Sequence, residues 1–320
     1  MSWRLFGVSI VGATLVAAAQ AKAQGSCSVP HGSPAAPTNS FVLVEPPGSG
    51  WLQISIYHLD TRNRFGPDAR NEPFFADGRL NTQSLFLTGA VGVLRGIDLW
   101  AQLPIHRLVF REVSGDRRAT GIGDPRFYLR IGPNLFGVRP TALPLGVALR
   151  GGVKFPGRDF PVDAQVIPLT EGQRDWEALV ELGRLLDPVP VYVMGWFGYR
   201  WREANTKAAI DPGDERFAFL ALGTTKGPIM FRLGVQGLWG DPPVISRFEV
   251  PTARRRMLEI LPTASRAFGP GEFQIGARFP VSGRNLPGGT ALNAGYFLRW
   301  GKRDAQSEKE VDLKKLLPGR

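Results

Sequence analysis

The feature that most constrains this chain is a period-two alternation of apolar and polar residues. It recurs in segments of roughly ten residues separated by Gly, Pro, Asn and Asp. The stretch TGIGDPRFYLRIG, residues 120–132, shows it plainly. Phe127, Leu129 and Ile131 fall on one side, and Arg126, Tyr128 and Arg130 on the other. A strand sends successive side chains to opposite faces, so this strand has an apolar face and a cationic one. Twelve segments read the same way: 51–59, 82–94, 98–110, 124–132, 145–155, 175–186, 191–202, 216–225, 229–239, 256–268, 272–281 and 291–300. Segment 175–186 also fits a short helix.

The links alternate in length. Arg95-Gly96-Ile97 and Gly269-Pro270-Gly271 are tight turns, while 60–81, 111–123, 156–174, 203–215 and 240–255 are long loops. The long links all follow odd-numbered segments, as an antiparallel up-and-down β-barrel requires. The expected fold is therefore all-β, a transmembrane barrel of about twelve strands. A soluble sandwich would alternate too. Even strand lengths and aromatics near strand ends (Trp51, Tyr57, Trp100, Trp201, Trp239, Trp300) favour the barrel, with these rings as an interfacial girdle.

The alternation also sorts the charges. A charge on the lipid face near the midplane costs about 2–4 kcal/mol, so the charged set should face the lumen. The basic lumen candidates are Arg126, Arg130, Arg150, Lys154, Arg200, Arg232, Arg278 and Arg299. The acidic ones are Glu177, Glu181, Glu259 and Glu272, with Asp175 beside them. Such groups either pair across strands and fill the lumen or line a pore and select its solute.

The N-terminus predicts export. Arg4, the apolar run Leu5–Ala19 and Ala21-Lys22-Ala23 form the pattern of a secretory signal peptide at residues 1–23. A Pro-, Gly- and Ser-rich arm at 24–48 precedes the barrel, 49–302, and a charged tail, 303–320, follows it. The lone cysteine, Cys27, permits no internal disulfide and reads as a free thiol. Without Arg4 and Lys22 the formal charge of +11 becomes +9. In an exported chain such a surplus points to anionic lipid headgroups or an anionic solute rather than nucleic acid.

Catalysis has thin support. The three histidines are His31 in the arm, His58 at a strand end and His106, which shares a face with Trp100 and Gln102. A lipid-modifying enzyme would need Ser and an acid beside His106, and no G-x-S-x-G motif occurs. No cofactor or metal site is expected, because one Cys and scattered His make no ligand set.

Five stretches carry a resemblance: GIDLWAQLPIHR (96–107), TGIGDPRFYLRIG (120–132), LPLGVALRGGVKFPGRD (143–159), TEGQRDWEALVELGRLL (170–186) and VYVMGWFGYRWRE (191–203). Their order and spacing resemble bacterial outer-membrane transporters named for the meta-pathway of phenol degradation. That family is distantly related to the long-chain fatty acid and aromatic hydrocarbon channels. Its clearest marks here are Gly121-x-Gly123-Asp124 and the Gly152-Val153-Lys154-x-Pro156 strand end. The resemblance implies an outer-membrane β-barrel passing small, often hydrophobic compounds. It carries no catalytic residues, and the 24–48 arm is too short for the hatch of the fatty acid channels. The last segment, Asn293-x-Gly295-x-x-Leu298-x-Trp300, resembles the closing-strand signal read by the barrel assembly machinery, though a charged tail follows it. The expected protein is a monomer in the outer-membrane lipid, passing a small-molecule solute. The alternatives are the lipid-modifying enzyme and a closed structural barrel.

Overall fold

The computed structural model describes residues 44–112, 115–138, 145–163, 166–186 and 188–301. The signal peptide, the arm up to residue 43 with Cys27 and His31, and the tail lie outside the described residues. Twelve strand positions make the wall: β1 Gly50–Thr61, β2 Arg79–Leu94, β3 Ile97–Glu112, β4 in two pieces (Gly115–Ile122 and Arg126–Ile131), β5 Gly146–Lys154 and β6 Asp175–Leu185. The rest are β7 Val191–Arg202, β8 Glu215–Thr224, β9 Met230–Gly240, β10 Arg256–Phe268, β11 Gly271–Arg284 and β12 Ala291–Trp300. Every strand pairs antiparallel with its chain neighbours, and β12 pairs with β1, so the sheet closes on itself. Closure leaves no edge, which a spanning sheet needs because lipid offers its amides no partner.

One expectation changes, and one alternative closes. Residues 111–123 are not an outer loop: β3 runs on to Glu112, and Gly115–Ile122 returns antiparallel along it. Its own alternation, Asp116, Arg118 and Thr120 against Arg117 and Ala119, is charged on both faces, so it does not read as membrane strand. The stretch 175–186 is a strand, held by β5 and β7 on its two sides. Between the pieces of β4, Gly123–Pro125 breaks the ladder, since Pro125 has no N–H to donate.

The outer surface is apolar for most of its height. Leu52, Ile54, Ile56, Leu220, Leu222, Phe231, Leu233 and Leu292 are all exposed. So large a belt of uncovered apolar side chains belongs in lipid. The aromatic girdle needs correction. Trp201, Trp239 and Trp300 face outward, but Trp51 and Trp100 are 6% exposed inside the lumen, and Tyr57 packs inward too. Position near a strand end set the expectation, whereas odd or even place in the strand decides the face.

Candidate functional site

The chemistry of this chain is concentrated in its lumen, which is filled at three heights. At the long-loop end, Leu59, Leu80, Leu108, Phe110 and Ala291 from the wall pack against Phe74 of the 62–78 loop and Ile167 and Leu169 of the 156–174 loop. These loop residues make an apolar lid over the barrel. At the short-turn end, Trp51, Trp100, Tyr128 and Phe297 cluster, with Trp51 stacked on Phe297 at 5.4 Å and Trp100 edge-on to Tyr128 at 4.9 Å. The end of the arm enters beside them. Val44 packs on Ala148 and Tyr192, and Gly48 donates its N–H to the Gly92 carbonyl. Gly92 must lack a side chain here, since a Cβ would stand 2.0 Å from the Pro46 oxygen. The arm is thus a small plug at its described end, although its composition reads as loose chain.

Between the two ends lie the charges, in two linked networks. The lower one joins Arg130 to Asp98 (2.7 Å) and Glu181 (3.2 Å), and Arg150 to Glu181 (3.1 Å). Arg150 also lies over the rings of Trp100 and Tyr128 at 5.2 and 5.1 Å. The arm joins in: Glu45 donates its backbone N–H to Asp98 (2.9 Å), and its carboxylate holds Arg299 (3.1 Å). In the upper network Lys154 sits among Asp124, Glu171 and Asp175. Arg200 bridges Glu177 and Glu215, Arg202 reaches Glu171, Asp175 and Glu215, and Arg255 reaches Glu171 and Glu215. The Tyr128 hydroxyl donates to Glu177 (2.6 Å) and ties the two together. Burial of a charge is tolerated only with this kind of pairing.

The remaining candidates are more scattered. Arg126 is 2% exposed and stands opposite Lys154 in register across β4 and β5. Arg278 pairs with Glu259, Arg232 donates to Thr263 (3.3 Å), and Glu272 accepts from Gln274 (2.9 Å). Arg232, Glu259, Glu272 and Arg278 belong to the β9–β11 side. Sequence reasoning left out Glu45, Asp98, Asp124, Glu171, Arg202, Glu215 and Arg255 from the lumen. Asp98, Arg202 and Glu215 sit at strand ends, where alternation gives least signal, and Glu45, Asp124, Glu171 and Arg255 lie outside the regular strands. Glu171 and Arg255 are delivered by loops that fold inward.

The 156–174 loop is anchored where β4 breaks. Asp124 accepts the N–H of Gly157 (3.2 Å) and of Glu171 (3.0 Å), and Asn205 donates to the Glu171 carbonyl (2.8 Å). Burial would raise the Glu171 carboxyl, but Arg202, Lys154 and Arg255 outweigh it and hold it well below the usual carboxylate range. His106 Nδ1 lies 2.7 Å from Ser84 Oγ, both buried, with Phe86 edge-on to the ring. Asp124 is committed to Lys154 and two amides, and among the described residues no carboxylate hydrogen-bonds to His106 as the acid of a triad would.

No protein-family model matches the chain, and no curated protein matches its sequence. Solved structures do match. An outer membrane channel from Pseudomonas putida F1 is 15% identical, with a TM-score of 0.69 over 83% of this chain and 100% of that one. The CymD monoaromatic hydrocarbon channel is 11% identical over 80% of this chain and 90% of that one, and its TM-score of 0.39 marks diverging chain traces. The first likeness spans the whole of its neighbour, and this chain has the fold of that bacterial outer-membrane β-barrel.

Proposed function

We propose that the chain is an outer-membrane channel for small solutes, with apolar and aromatic compounds as the favoured class. The observation that carries this is how the barrel is shut. Segments outside the barrel wall close the ends, residues 44–49 at one and the 62–78 and 156–174 loops at the other, and ion pairs and a few apolar contacts hold them. Segments held this way can leave without breaking the wall. Aromatic rings line the short-turn end, which suits a flat apolar solute better than a hydrated ion. The resemblance noted in the sequence, and the channel with the shared fold, support the same reading. Passage needs no catalytic residue, and His106 with Ser84 is read as a hydrogen-bonded lumen pair.

Liposome swelling with the purified, heat-modifiable barrel tests this proposal. Solute entry should be slow in the native protein and faster once the 156–174 loop is released. No flux in either form would leave the second reading, a closed structural barrel, which the paired lumen arginines also support.

A further inference from the structure

We propose that Arg256 and Arg284 form a clamp on the outside of the barrel for the phosphate of a glycolipid headgroup in the surrounding leaflet. This rests on the reading that the barrel sits in an outer membrane, but not on its passing a solute.

The register places a row of residues across five neighbouring strands at the long-loop end: Tyr199, Arg216, Trp239, Arg256 and Arg284. All belong to the outward face. Two same-face positions toward the short turns the face is apolar, with Leu220, Val235, Ile260 and Phe279 exposed. The row therefore marks the level where hydrocarbon gives way to headgroups, and it carries the aromatic and basic side chains expected there.

Arg256 and Arg284 are the anomaly within it. They stand directly opposite each other on β10 and β11. Side chains so placed start roughly 5 Å apart at Cβ, and like charges there repel. Other arginines on this rim have carboxylates: Arg216 has Asp241, and Arg174 has Glu203 at 2.9 Å. Among the described residues, Arg256 and Arg284 have neither an ion pair nor a hydrogen bond from their side chains. The loop above is pinned over them, since Asn285 donates to the Thr252 and Arg254 carbonyls (2.7 and 2.9 Å). Trp239 folds its indole over Gly237, toward the apolar band, and leaves Arg256 uncovered. Two guanidinium forks rising from paired strand positions, at headgroup height, match a phosphate that accepts several bonds at once. A free anion could use the same forks. The apolar wall directly below adds a seat for acyl chains, which favours a lipid, and the long-loop end faces the leaflet rich in phosphorylated glycolipid.

The test is binding to the full chain in detergent, by native mass spectrometry, after heat-dependent gel mobility confirms a folded barrel. The probes are diphosphorylated lipid A, its dephosphorylated form, phosphatidylglycerol and inorganic phosphate. Lipid A should bind, and Arg256→Gln with Arg284→Gln should weaken it about tenfold or more, as losing charge-assisted bonds to one phosphate implies. Arg174→Gln, whose partner is Glu203, should leave binding unchanged. In lipid-free detergent the double variant should melt at a higher temperature than the native chain, because a repulsion is gone, and lipid A should no longer raise that temperature. The proposal is overturned by equal lipid A binding in the double variant, or by equal binding of the dephosphorylated form. Equal binding of phosphatidylglycerol would overturn the glycolipid assignment, and displacement by phosphate alone at equal concentration would reduce the clamp to an anion site. Normal clamping with no solute flux would refute the channel and leave the clamp standing.

Discussion

At the residue scale, Glu171 and Gly92 carry the most consequence. Glu171 is the point where the 156–174 loop meets Lys154, Arg202 and Arg255. Glu171→Gln leaves these cations short of a buried counter-charge, a loss on the order of 3–5 kcal/mol. The expected result is a looser loop, read as higher single-channel conductance and earlier proteolysis between residues 156 and 174. The carboxyl is held below its ordinary value of 4.5, so its contribution is complete above that pH and is lost only as pH falls through the depressed value. Conductance should therefore stay flat from neutral pH down to about 4.5 and rise only in stronger acid. A rise between pH 7 and 5 would contradict the latch. Gly92→Val should eject the 44–48 segment, because no side chain fits against the Pro46 carbonyl. It should raise conductance while leaving the barrel's heat-dependent gel mobility intact. Neither residue announced itself in the sequence. Glu171 lies in a polar loop, and Gly92 looks like any strand glycine until the arm is laid against it.

At the element scale, alternation was a strong guide wherever one face meets lipid. The β7, β10 and β12 strands run at 191–202, 256–268 and 291–300, where their patterns begin and end. The guide weakened where a strand rises beyond the membrane. Gly115–Ile122 pairs with β3 in water, carries charge on both faces and therefore reads as loop. The two faces should respond differently to charge. Leu233→Arg on the exposed face of β9 should cost about 2–4 kcal/mol in a urea unfolding titration in lipid. An equal cost for Gln236→Arg, which faces the lumen on the same strand, would contradict the assignment of faces. At the break in β4, Asp124→Ala should free Gly157 and Glu171 together, so hydrogen exchange of both amides should accelerate.

At the scale of the whole molecule, the barrel should survive loss of its lid. Replacing residues 160–169 by a Gly-Ser linker should leave the heat-dependent mobility shift and increase solute flux, because the wall closes through β12 and β1 without the loop. A collapse of the barrel would mean that the lid is core rather than closure. The sequence by itself determined the closed antiparallel wall and its twelve positions. Those depend on local rules: strand period, turn residues and the cost of charge in lipid act within a few residues of where they are written. Only the tertiary structure decided that Glu45, Glu171 and Arg255 would complete the lumen, that Trp51 and Trp100 would turn inside, and that the lumen would be full. These follow from which distant segments meet in three dimensions and from pairing between charges far apart along the chain, Arg255 with Glu171 84 residues away and Arg299 with Glu45 254 residues away. No period along the chain encodes such a meeting.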